Sequence, residues 1–259
     1  MWDPAVYRRF GAERSRPFFD LTGRIGAEQP RAVVDLGCGP GELTLTLADR
    51  WPEARVTGVD SSPEMIAKAV AHGGPARFEV GDVRAWTPGP DVEVLITNAT
   101  LQWVEGHRDL LARWAVELPA GAWLAAQVPG NFDAPSHRLL RAVAARFGVG
   151  HVTREAPVDD PIGYASLLLA AGAQVDAWET TYLHLLPAGG DEHPVLRWME
   201  GTALRPVKAA LDDNAWQAFR ADLGRELAVA YPAAHGHVAF PFRRVFVVAR
   251  TAVQRGPRA

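Results

Sequence analysis

The chain has 259 residues, of which 48% are hydrophobic and 22% charged, a composition typical of a globular protein with a sizeable core. Its formal net charge of −3 gives no electrostatic reason to expect nucleic acid or an anionic membrane as the main partner. The single cysteine, Cys38, excludes an internal disulfide and a cysteine-rich metal site. The sequence has no apolar run of the ~18 residues that span a bilayer and no signal-peptide pattern at its start, so we expect a cytoplasmic protein.

A strand, a glycine-rich turn and a helix start follow one another over residues 33–45. The β-branched run ends at Asp35, and helical periodicity begins at Leu43. Three glycines alternate in the turn: Gly37, Gly39 and Gly41. Glycine permits unusual dihedrals and lets a ligand approach the backbone. The dinucleotide fingerprint needs glycine or alanine at position 42, where this chain has Glu42, so a nicotinamide-dependent reductase is disfavoured.

A second strand, over residues 55–60, ends in an acid. Asp60 lies 19 positions beyond Gly41 (60 − 41), which suits an acid that accepts hydrogen bonds from ribose hydroxyls. The following segment, Ser61-Ser62-Pro63-Glu64, has the serine, proline and acid of a helix N-terminus. This strand–helix–strand unit is therefore a more specific signal than the glycines alone.

Polar residues follow each of the predicted strands. Further strands are predicted at 78–83, 92–98 and 122–128, with a helix at 107–117, and this alternation predicts a parallel sheet. Five polar residues fall at or just beyond strand ends: Asp35, Asp60, Asp82, Asn98 and Asn131. Because the carboxyl ends of parallel strands share one edge of the sheet, these residues predict a ligand site there.

Two segments interrupt the alternation, at 132–165 and 188–237, and are predicted to form a helical cap over the strand ends. A strand-like stretch at 175–186 lies between them, and the last strand is predicted at 238–250. No long polar linker divides the chain, so we predict one domain, with an N-terminal arm and helix at 1–30 and the ligand-binding core at 31–131. Three tryptophans on helical patterns are predicted to be core residues: Trp114, Trp198 and Trp216.

The chain resembles the class I S-adenosylmethionine-dependent methyltransferases in four places. They are Asp35–Gly41, Asp60, Gly81-Asp82 and Asn98. The resemblance implies an α/β fold with a Rossmann-like, mostly parallel, seven-stranded sheet, an antiparallel last strand and helices on both faces. It implies that the glycine loop contacts the methionine and ribose of the cofactor, that Asp60 holds the ribose hydroxyls, and that Asp82 holds the adenine amino group. The backbone carbonyl of Asn98 would accept from the methionine ammonium. The implied cofactor-binding set is Asp35, Gly37, Gly39, Gly41, Asp60, Ser61, Asp82, Val83 and Asn98.

Segments along nearly the whole chain are similar to the trans-aconitate 2-methyltransferases. They are Trp2-Asp3-Pro4, Arg14–Phe18, Asn98–Val104, Gln127–Asn131, Trp178–Tyr182, Gly201–Pro206 and Phe240–Arg244. Gln102 departs from this pattern, because many members have histidine before the tryptophan. The resemblance implies an enzyme that uses S-adenosyl-L-methionine and no metal, releases S-adenosyl-L-homocysteine, and esterifies a carboxylate of trans-aconitate or a similar small polycarboxylate.

Methyl transfer to a carboxylate needs positioning rather than proton transfer. A carboxyl group with a pKa near ~4 is already ionised at neutral pH, so no general base is required. A site that excludes water and holds both reactants in line supplies much of the rate. We predict that Tyr7, Trp103 and Asn131 position the reactants.

A polycarboxylate acceptor also needs cations, and arginine binds carboxylates through two parallel hydrogen bonds. The predicted substrate-binding residues are Tyr7, Arg14, Tyr182, Arg205 and Arg243. Adjacent residues of a strand point to opposite faces, so at most one of Arg243 and Arg244 should reach a common pocket. We expect His235 and His237 to lie in a loop without metal, because no third ligand accompanies them.

Alternative functions remain open from the sequence. The acceptor could be an acyl-carrier malonyl carboxylate or a quinone-type ring carbon. A protein that holds the cofactor without turnover is a further alternative. The oligomeric state is not indicated by the sequence.

Overall fold

The structure is a computed structural model that describes residues 11–252, with side chains described from residue 15 onward. The helices are α1 Gly11–Thr22, α2 Glu42–Arg50, α3 Pro63–Ala71, α4 His107–Glu117, α5 Pro135–Arg146, α6 Pro161–Ala170, α7 Pro194–Glu200, α8 Arg205–Ala210 and α9 Asp213–Ala230. The strands are β1 Ala32–Leu36, β2 Arg55–Asp60, β3 Arg77–Val80, β4 Val92–Asn98, β5 Trp123–Pro129, β6 Gln174–Pro187, β7 Ala233–Ala234 and β8 His237–Arg250. Short 3-10 helices occur at Leu101–Trp103 and Gly150–Val152. No helix in this part of the chain is long and apolar enough to cross a membrane.

The strands form one mixed sheet in the order β3-β2-β1-β4-β5-β8-β6, and β7 pairs antiparallel with β8. The first five strands of this order are parallel, with Asp35 opposite Gly58 on β2 and Ile96 on β4. Every residue of β1 is buried, as expected for a parallel strand that is covered on both faces. The predicted α/β fold, with a mostly parallel sheet that becomes antiparallel near its end, is confirmed.

The chain divides into two compact units. Within the described residues, the sheet unit comprises residues 15–129, 159–179 and 245–252, and the insertion unit comprises residues 11–14, 130–158 and 180–244. The boundaries fall inside β6, after Glu179, and inside β8, after Arg244. The predicted partition of a single domain into arm, core and cap stays a prediction.

The insertion unit has a hydrophobic core of its own, built by α5, α7, α9 and parts of β6 and β8. Trp198 and Phe219 are almost completely buried there, and Trp216 stacks on Phe219 with ring centroids 5.7 Å apart. In the sheet unit, Trp114 is fully buried. The prediction that Trp114, Trp198 and Trp216 are core residues is therefore confirmed.

Several predicted boundaries differ from the structure. The seven predicted strands form the strand order of the sheet, and the described part of the chain adds an eighth, because Ala233–Ala234 forms a short hairpin with β8. The turn of this hairpin is His235-Gly236, both with positive φ (49° and 75°), as a type I′ hairpin turn requires. The expectation that His235 and His237 both lie in a loop is wrong for His237, which is the first residue of β8.

Other differences concern the ends of elements. The third strand ends at Val80, so Gly81 to Val83 lie beyond it. The second predicted insertion, at 188–237, contains three helices, of which α7 ends at Glu200 and α8 begins at Arg205 after a four-residue turn. The N-terminal arm and helix were predicted at 1–30, but α1 ends at Thr22, and Ile25 is buried four residues after the buried Leu21, beyond the helix end. The four-residue spacing between two buried residues is typical of one face of a helix, but it also occurs when the second residue is buried just after the helix has ended.

Candidate cofactor site

The glycine loop joins β1 to α2 in the sheet unit. The backbone N–H groups of Gly37 and Cys38 donate to the Val59 carbonyl oxygen of β2, at 2.7 and 3.1 Å. All three glycines have positive φ, from 56° to 81°. A Cβ on Gly37 would lie 2.0 Å from Thr100 Oγ1, and one on Gly41 would lie 2.6 Å from the Ala69 Cβ. A Cβ on Gly39 would meet no atom within 4 Å, so the middle of the loop faces open space.

Asp35 lies beneath the loop and is buried, with 3% of its surface exposed. Its Oδ2 accepts a hydrogen bond of 2.6 Å from the hydroxyl of Thr44, a completely buried residue of α2. Burial raises the pKa of Asp35 to about 6, the Thr44 hydrogen bond opposes this shift, and the charge of Asp60 adds to it. Asp35 therefore joins β1 to α2 through a buried hydrogen bond, and its carboxyl group has a pKa of about 6.

Asp60 connects the glycine loop to the next turn. Its Oδ2 accepts from the Gly39 N–H at 2.9 Å, and its Oδ1 accepts from the Ser62 N–H at 2.9 Å. The Ser62 hydroxyl in turn accepts from the Met65 N–H, which caps α3 at the predicted position. Ser61 is exposed beside this carboxylate. A carboxylate has about four lone-pair positions, so Asp60 retains acceptor capacity for two further donors.

Asp82 lies beyond the end of β3 and is held by Arg84. The Arg84 Nε is 3.0 Å from both carboxylate oxygens, its Nη2 is 2.6 Å from Oδ2, and its backbone N–H donates to Oδ1. These bonds to Arg84 lower the pKa of Asp82, which keeps the carboxylate ionised. The turn is also anchored by Arg113 of α4, which donates to the Trp86 carbonyl at 2.8 Å. Val83 is partly buried in the same turn.

Asn98 ends β4, and its carbonyl oxygen accepts from the Thr100 hydroxyl at 3.2 Å. Its Oδ1 is buried and has no hydrogen-bond partner among the described residues. Gln127, opposite Asn98 on β5, is 1% exposed, and both polar atoms of its side chain lack a partner in the same part of the chain. Paired residues of a parallel ladder point to one face, so two unsatisfied amides lie together at this strand end.

The structure thus brings Asp82, Asp60, the glycine loop and Asn98 to the carboxyl ends of four adjacent parallel strands, in the order β3, β2, β1 and β4. Trp103 follows β4 on a 3-10 helix and is half exposed. Gln102, beside it, donates to the Ala99 carbonyl at 2.6 Å. Acceptor oxygens of Asp60 and Asn98 and a glycine-rich loop with open space at Gly39 therefore lie at one edge of the sheet, an arrangement suited to a ligand that carries hydrogen-bond donors.

Asn131, the fifth predicted polar residue, belongs to the insertion unit and is 4% exposed. Its amide binds the backbone of Arg243: Nδ2 donates to the Arg243 carbonyl at 2.9 Å, and Oδ1 accepts from the Arg243 N–H at 2.8 Å. The Arg243 guanidinium also donates to the Gly130 carbonyl at 3.3 Å. Asn131 and Arg243, predicted separately from the sequence, are therefore neighbours.

The other predicted substrate residues are dispersed over several elements. Tyr182 is buried on β6, and Arg205 is exposed at the start of α8. Arg244 is buried, with its guanidinium carbon 4.7 Å from the Phe242 ring, whereas Arg243 is only partly buried. Tyr7 lies outside the described residues, and so does the side chain of Arg14.

Three contributors to this region were not predicted from the sequence: Thr44, Arg84 and the side chain of Gln127. Thr44 lies nine positions after Asp35, and Arg84 lies two positions after Asp82. Such spacings are too common in protein sequences to indicate a site. Gln127 was noted only as part of a motif, although a glutamine within an otherwise apolar strand is itself a signal. No group of three or more histidine, cysteine or acidic side chains that could hold a metal occurs between residues 15 and 252.

Comparisons with known proteins agree with this geometry. A family model described as a methyltransferase domain matches residues 33–118, which include the glycine loop and β4. The YcgJ protein from Bacillus subtilis has the same fold, with a TM-score of 0.57 at 11% sequence identity, over 89% of this chain and 95% of that one.

Two relatives are similar over almost their whole length. A trans-aconitate 2-methyltransferase from Mycobacterium sp. (strain KMS) is 55% identical over 97% of this chain and 100% of its own. An enzyme of the same name from Rhodococcus jostii (strain RHA1) is 52% identical over 96% of this chain and 99% of its own. The chain is therefore a class I S-adenosylmethionine-dependent methyltransferase and belongs to the trans-aconitate 2-methyltransferase family.

Proposed function

We propose that this enzyme transfers a methyl group from S-adenosyl-L-methionine to a carboxylate of trans-aconitate or a similar small polycarboxylate. The observation that carries the proposal is the identity of 52–55% to enzymes named for that substrate, over 96–97% of the chain. The cytoplasmic location and the lack of a nucleic-acid or membrane partner stay predictions.

The cofactor would be held by residues of the sheet unit. We assign the ribose hydroxyls to Asp60, beside Ser61, and the adenine amino group to Asp82, with Val83 against the ring. Asn98 would bind the methionine ammonium through its carbonyl, and Gly37, Gly39 and Gly41 would let the ligand approach the backbone. Asp35 would hold the loop in place through Thr44, which donates to it at 2.6 Å.

When bound, the cofactor supplies a methyl group on a positively charged sulfur. The acceptor carboxylate is ionised at neutral pH, so the chain does not need to remove a proton. Its residues would exclude water and hold the carboxylate in line with the methyl group. We assign this positioning to Tyr7, Trp103 and Asn131. The two hydrogen bonds between the Asn131 amide and the Arg243 backbone support an indirect role for Asn131, through Arg243.

The remaining carboxylates of the acceptor need cationic partners, and we propose Arg14, Arg205 and Arg243 for this role. Tyr7 and Tyr182 would donate further hydrogen bonds through their hydroxyl groups. Charge-assisted hydrogen bonds from arginine to carboxylate are about twice as strong as neutral ones. No metal is needed in this scheme.

The test is an incubation of the purified enzyme with methyl-labelled S-adenosylmethionine and trans-aconitate. We expect a labelled, base-labile methyl ester. Asp60→Asn should weaken S-adenosylhomocysteine binding by about tenfold, because a charge-assisted acceptor is lost. Asp91→Asn is the matched control, since it removes an exposed acid that pairs with Arg55 and should leave the affinity unchanged.

A panel of other acceptors separates the alternatives. Rapid transfer to an acyl-carrier malonyl carboxylate or a quinone-type ring carbon, with none to trans-aconitate, would refute the substrate assignment and retain the methyltransferase. Calorimetric binding of the cofactor without product from any acceptor would indicate a non-catalytic binding protein.

A further inference from the structure

The segment after β4, residues 99–103, begins with a strained residue that two glutamines hold in place. Ala99 has a φ of 54°, in the left-handed region that a residue with a side chain rarely adopts. Its N–H donates to the Gln127 carbonyl of β5 at 2.9 Å, and its carbonyl accepts from Nε2 of Gln102 at 2.6 Å. All three residues belong to the sheet unit. Backbone strain that is held by specific hydrogen bonds is frequent at functional sites, so this segment is a candidate for a further role.

The contact with Ala99 fixes the orientation of the Gln102 amide. A carbonyl oxygen can only accept a hydrogen bond, so the atom of Gln102 that lies 2.6 Å from it is the NH2 group. Oε1 of Gln102 therefore remains for another partner. It is buried and has no hydrogen-bond partner among residues 15–252, and the same holds for Oδ1 of Asn98, the residue before Ala99. Two buried acceptors in one short stretch of chain are thus unsatisfied, which calls for a ligand that donates.

This stretch adjoins the position proposed for the methionine part of the cofactor. The Thr100 hydroxyl is 3.2 Å from the Asn98 carbonyl oxygen and 3.4 Å from the carbonyl oxygen of Gly37, in the glycine loop. Gln102 is therefore joined through Ala99 to the same short segment that contacts the glycine loop. The Asn98 carbonyl, assigned above to the methionine ammonium, belongs to the residue next to Ala99.

The two reactants differ in what they can offer to an unsatisfied acceptor. An ionised carboxylate has only acceptors, so the methyl acceptor cannot satisfy Oε1 of Gln102 through its carboxylates. An ammonium group has three N–H donors, and the proposed function gives the methionine ammonium one acceptor, the Asn98 carbonyl. The ammonium therefore has donors left for the unsatisfied oxygens, and a hydrogen bond from a charged donor is stronger than one from a neutral donor.

From these contacts we infer that Gln102 is a cofactor-binding residue. Its Oε1 accepts a hydrogen bond from the methionine ammonium of S-adenosyl-L-methionine, while its Nε2 holds the segment through the Ala99 carbonyl. The inference rests on the proposed function for the place of the ammonium at Asn98. It does not depend on the identity of the methyl acceptor.

The test is a calorimetric titration of two ligands, S-adenosylhomocysteine and an analogue in which hydrogen replaces its amino group. Gln102→Met, which keeps the length of the side chain without its amide, should bind S-adenosylhomocysteine about tenfold or more weakly than the wild type, because a hydrogen bond to a charged group is lost. Its affinity for the analogue should change by less than about twofold. Gln174→Met is the matched control, since Gln174 is an exposed glutamine on β6 of the same unit, and it should bind both ligands as the wild type does.

A second variant tests the acceptor oxygen itself. Gln102→Glu retains an oxygen that can accept from the ammonium, so it should bind S-adenosylhomocysteine more tightly than Gln102→Met does, with no such gain for the analogue. An equal loss of affinity for both ligands in Gln102→Met would overturn the inference, because the glutamine would then act only by holding Ala99.

These titrations separate a failure of this inference from a failure of the proposed function. Neither ligand carries a transferable methyl group, and no methyl acceptor is present. An absence of transfer to trans-aconitate would leave the expected affinities unchanged. Equal affinities of Gln102→Met and the wild type for S-adenosylhomocysteine would refute the role of Gln102, whatever the turnover.

Discussion

At the scale of single residues, Asp35 is the group whose surroundings have the clearest thermodynamic consequence. It is buried beside Thr44, and its pKa is raised from 3.8 to about 6. The folded protein therefore binds this proton more tightly than the unfolded chain does. The contribution of Asp35 to the free energy of unfolding is largest below pH 4 and is lost as the pH rises to about 6.

We predict that Asp35→Asn removes this dependence. Between pH 4 and pH 7, the free energy of unfolding of the variant should rise by about 3 kcal/mol relative to the wild type, since two pKa units correspond to about that energy. Urea unfolding at the two pH values measures the difference. If the difference between variant and wild type is the same at both, Asp35 is ionised throughout and the prediction fails.

At the scale of elements, the glycine loop shows that its three glycines have different roles. Gly37 and Gly41 are required because a Cβ would overlap Thr100 or Ala69. Gly39 has room for a Cβ, so its requirement comes from backbone strain at φ 56° and from the ligand expected there. Packing and ligand approach can therefore be tested separately at neighbouring positions.

Gly39→Ala should lower the free energy of unfolding by about 1–2 kcal/mol, the cost of a left-handed residue that has a side chain. Gly148→Ala is the matched control, because Gly148 also has positive φ and no atom near its added Cβ. Both variants should lose similar stability in chemical denaturation, whereas Gly39→Ala alone should weaken S-adenosylhomocysteine binding in calorimetry. Equal affinities for the two variants would argue against a ligand at the loop.

Much of this half of the chain was predictable from the sequence. The strand, glycine turn and helix were predictable because a β-branched run, three alternating glycines and a helical periodicity follow one another over residues 33–45. The position of Asp60 at a strand end was predictable because it closes a short β-branched strand and because it follows Gly41 at the spacing typical of an acid that binds ribose hydroxyls. The capping of α3 by Ser62 followed from the serine–proline pair.

The rest depended on contacts that no local pattern encodes. The two hydrogen bonds between Asn131 and the Arg243 backbone join residues that are 112 positions apart in the chain. α8, at Arg205–Ala210, was not predicted as a separate helix, although Pro206 in its first turn is a residue typical of helix starts. Gln127 is visible in the sequence as a polar residue in an apolar strand, but its lack of a side-chain partner depends on the three-dimensional contacts.

At the scale of the whole molecule, the residues assigned to the cofactor all belong to the sheet unit, whereas the insertion unit has its own core. Leu223 is completely buried in that core, on α9. Leu223→Ala should lower the free energy of unfolding by about 2–5 kcal/mol through the lost contacts and the cavity.

Saturating S-adenosylhomocysteine should nevertheless stabilise Leu223→Ala and the wild type by the same increment, about 2.7 kcal/mol at a concentration of one hundred times Kd. Chemical denaturation with and without the ligand measures both increments. A smaller increment in the variant would mean that the insertion-unit core contributes to cofactor affinity, contrary to the assignment.

Cys38 gives the molecule a practical property. Its thiol is buried in the glycine loop, and burial with the charges of Asp35 and Asp60 raises its pKa, so the reactive thiolate is suppressed. Because it is the chain's single cysteine, a cysteine introduced at an exposed position such as Arg138 would be the preferred target of a thiol-directed dye. Site-specific fluorescence labelling of this enzyme therefore requires no substitution within the glycine loop.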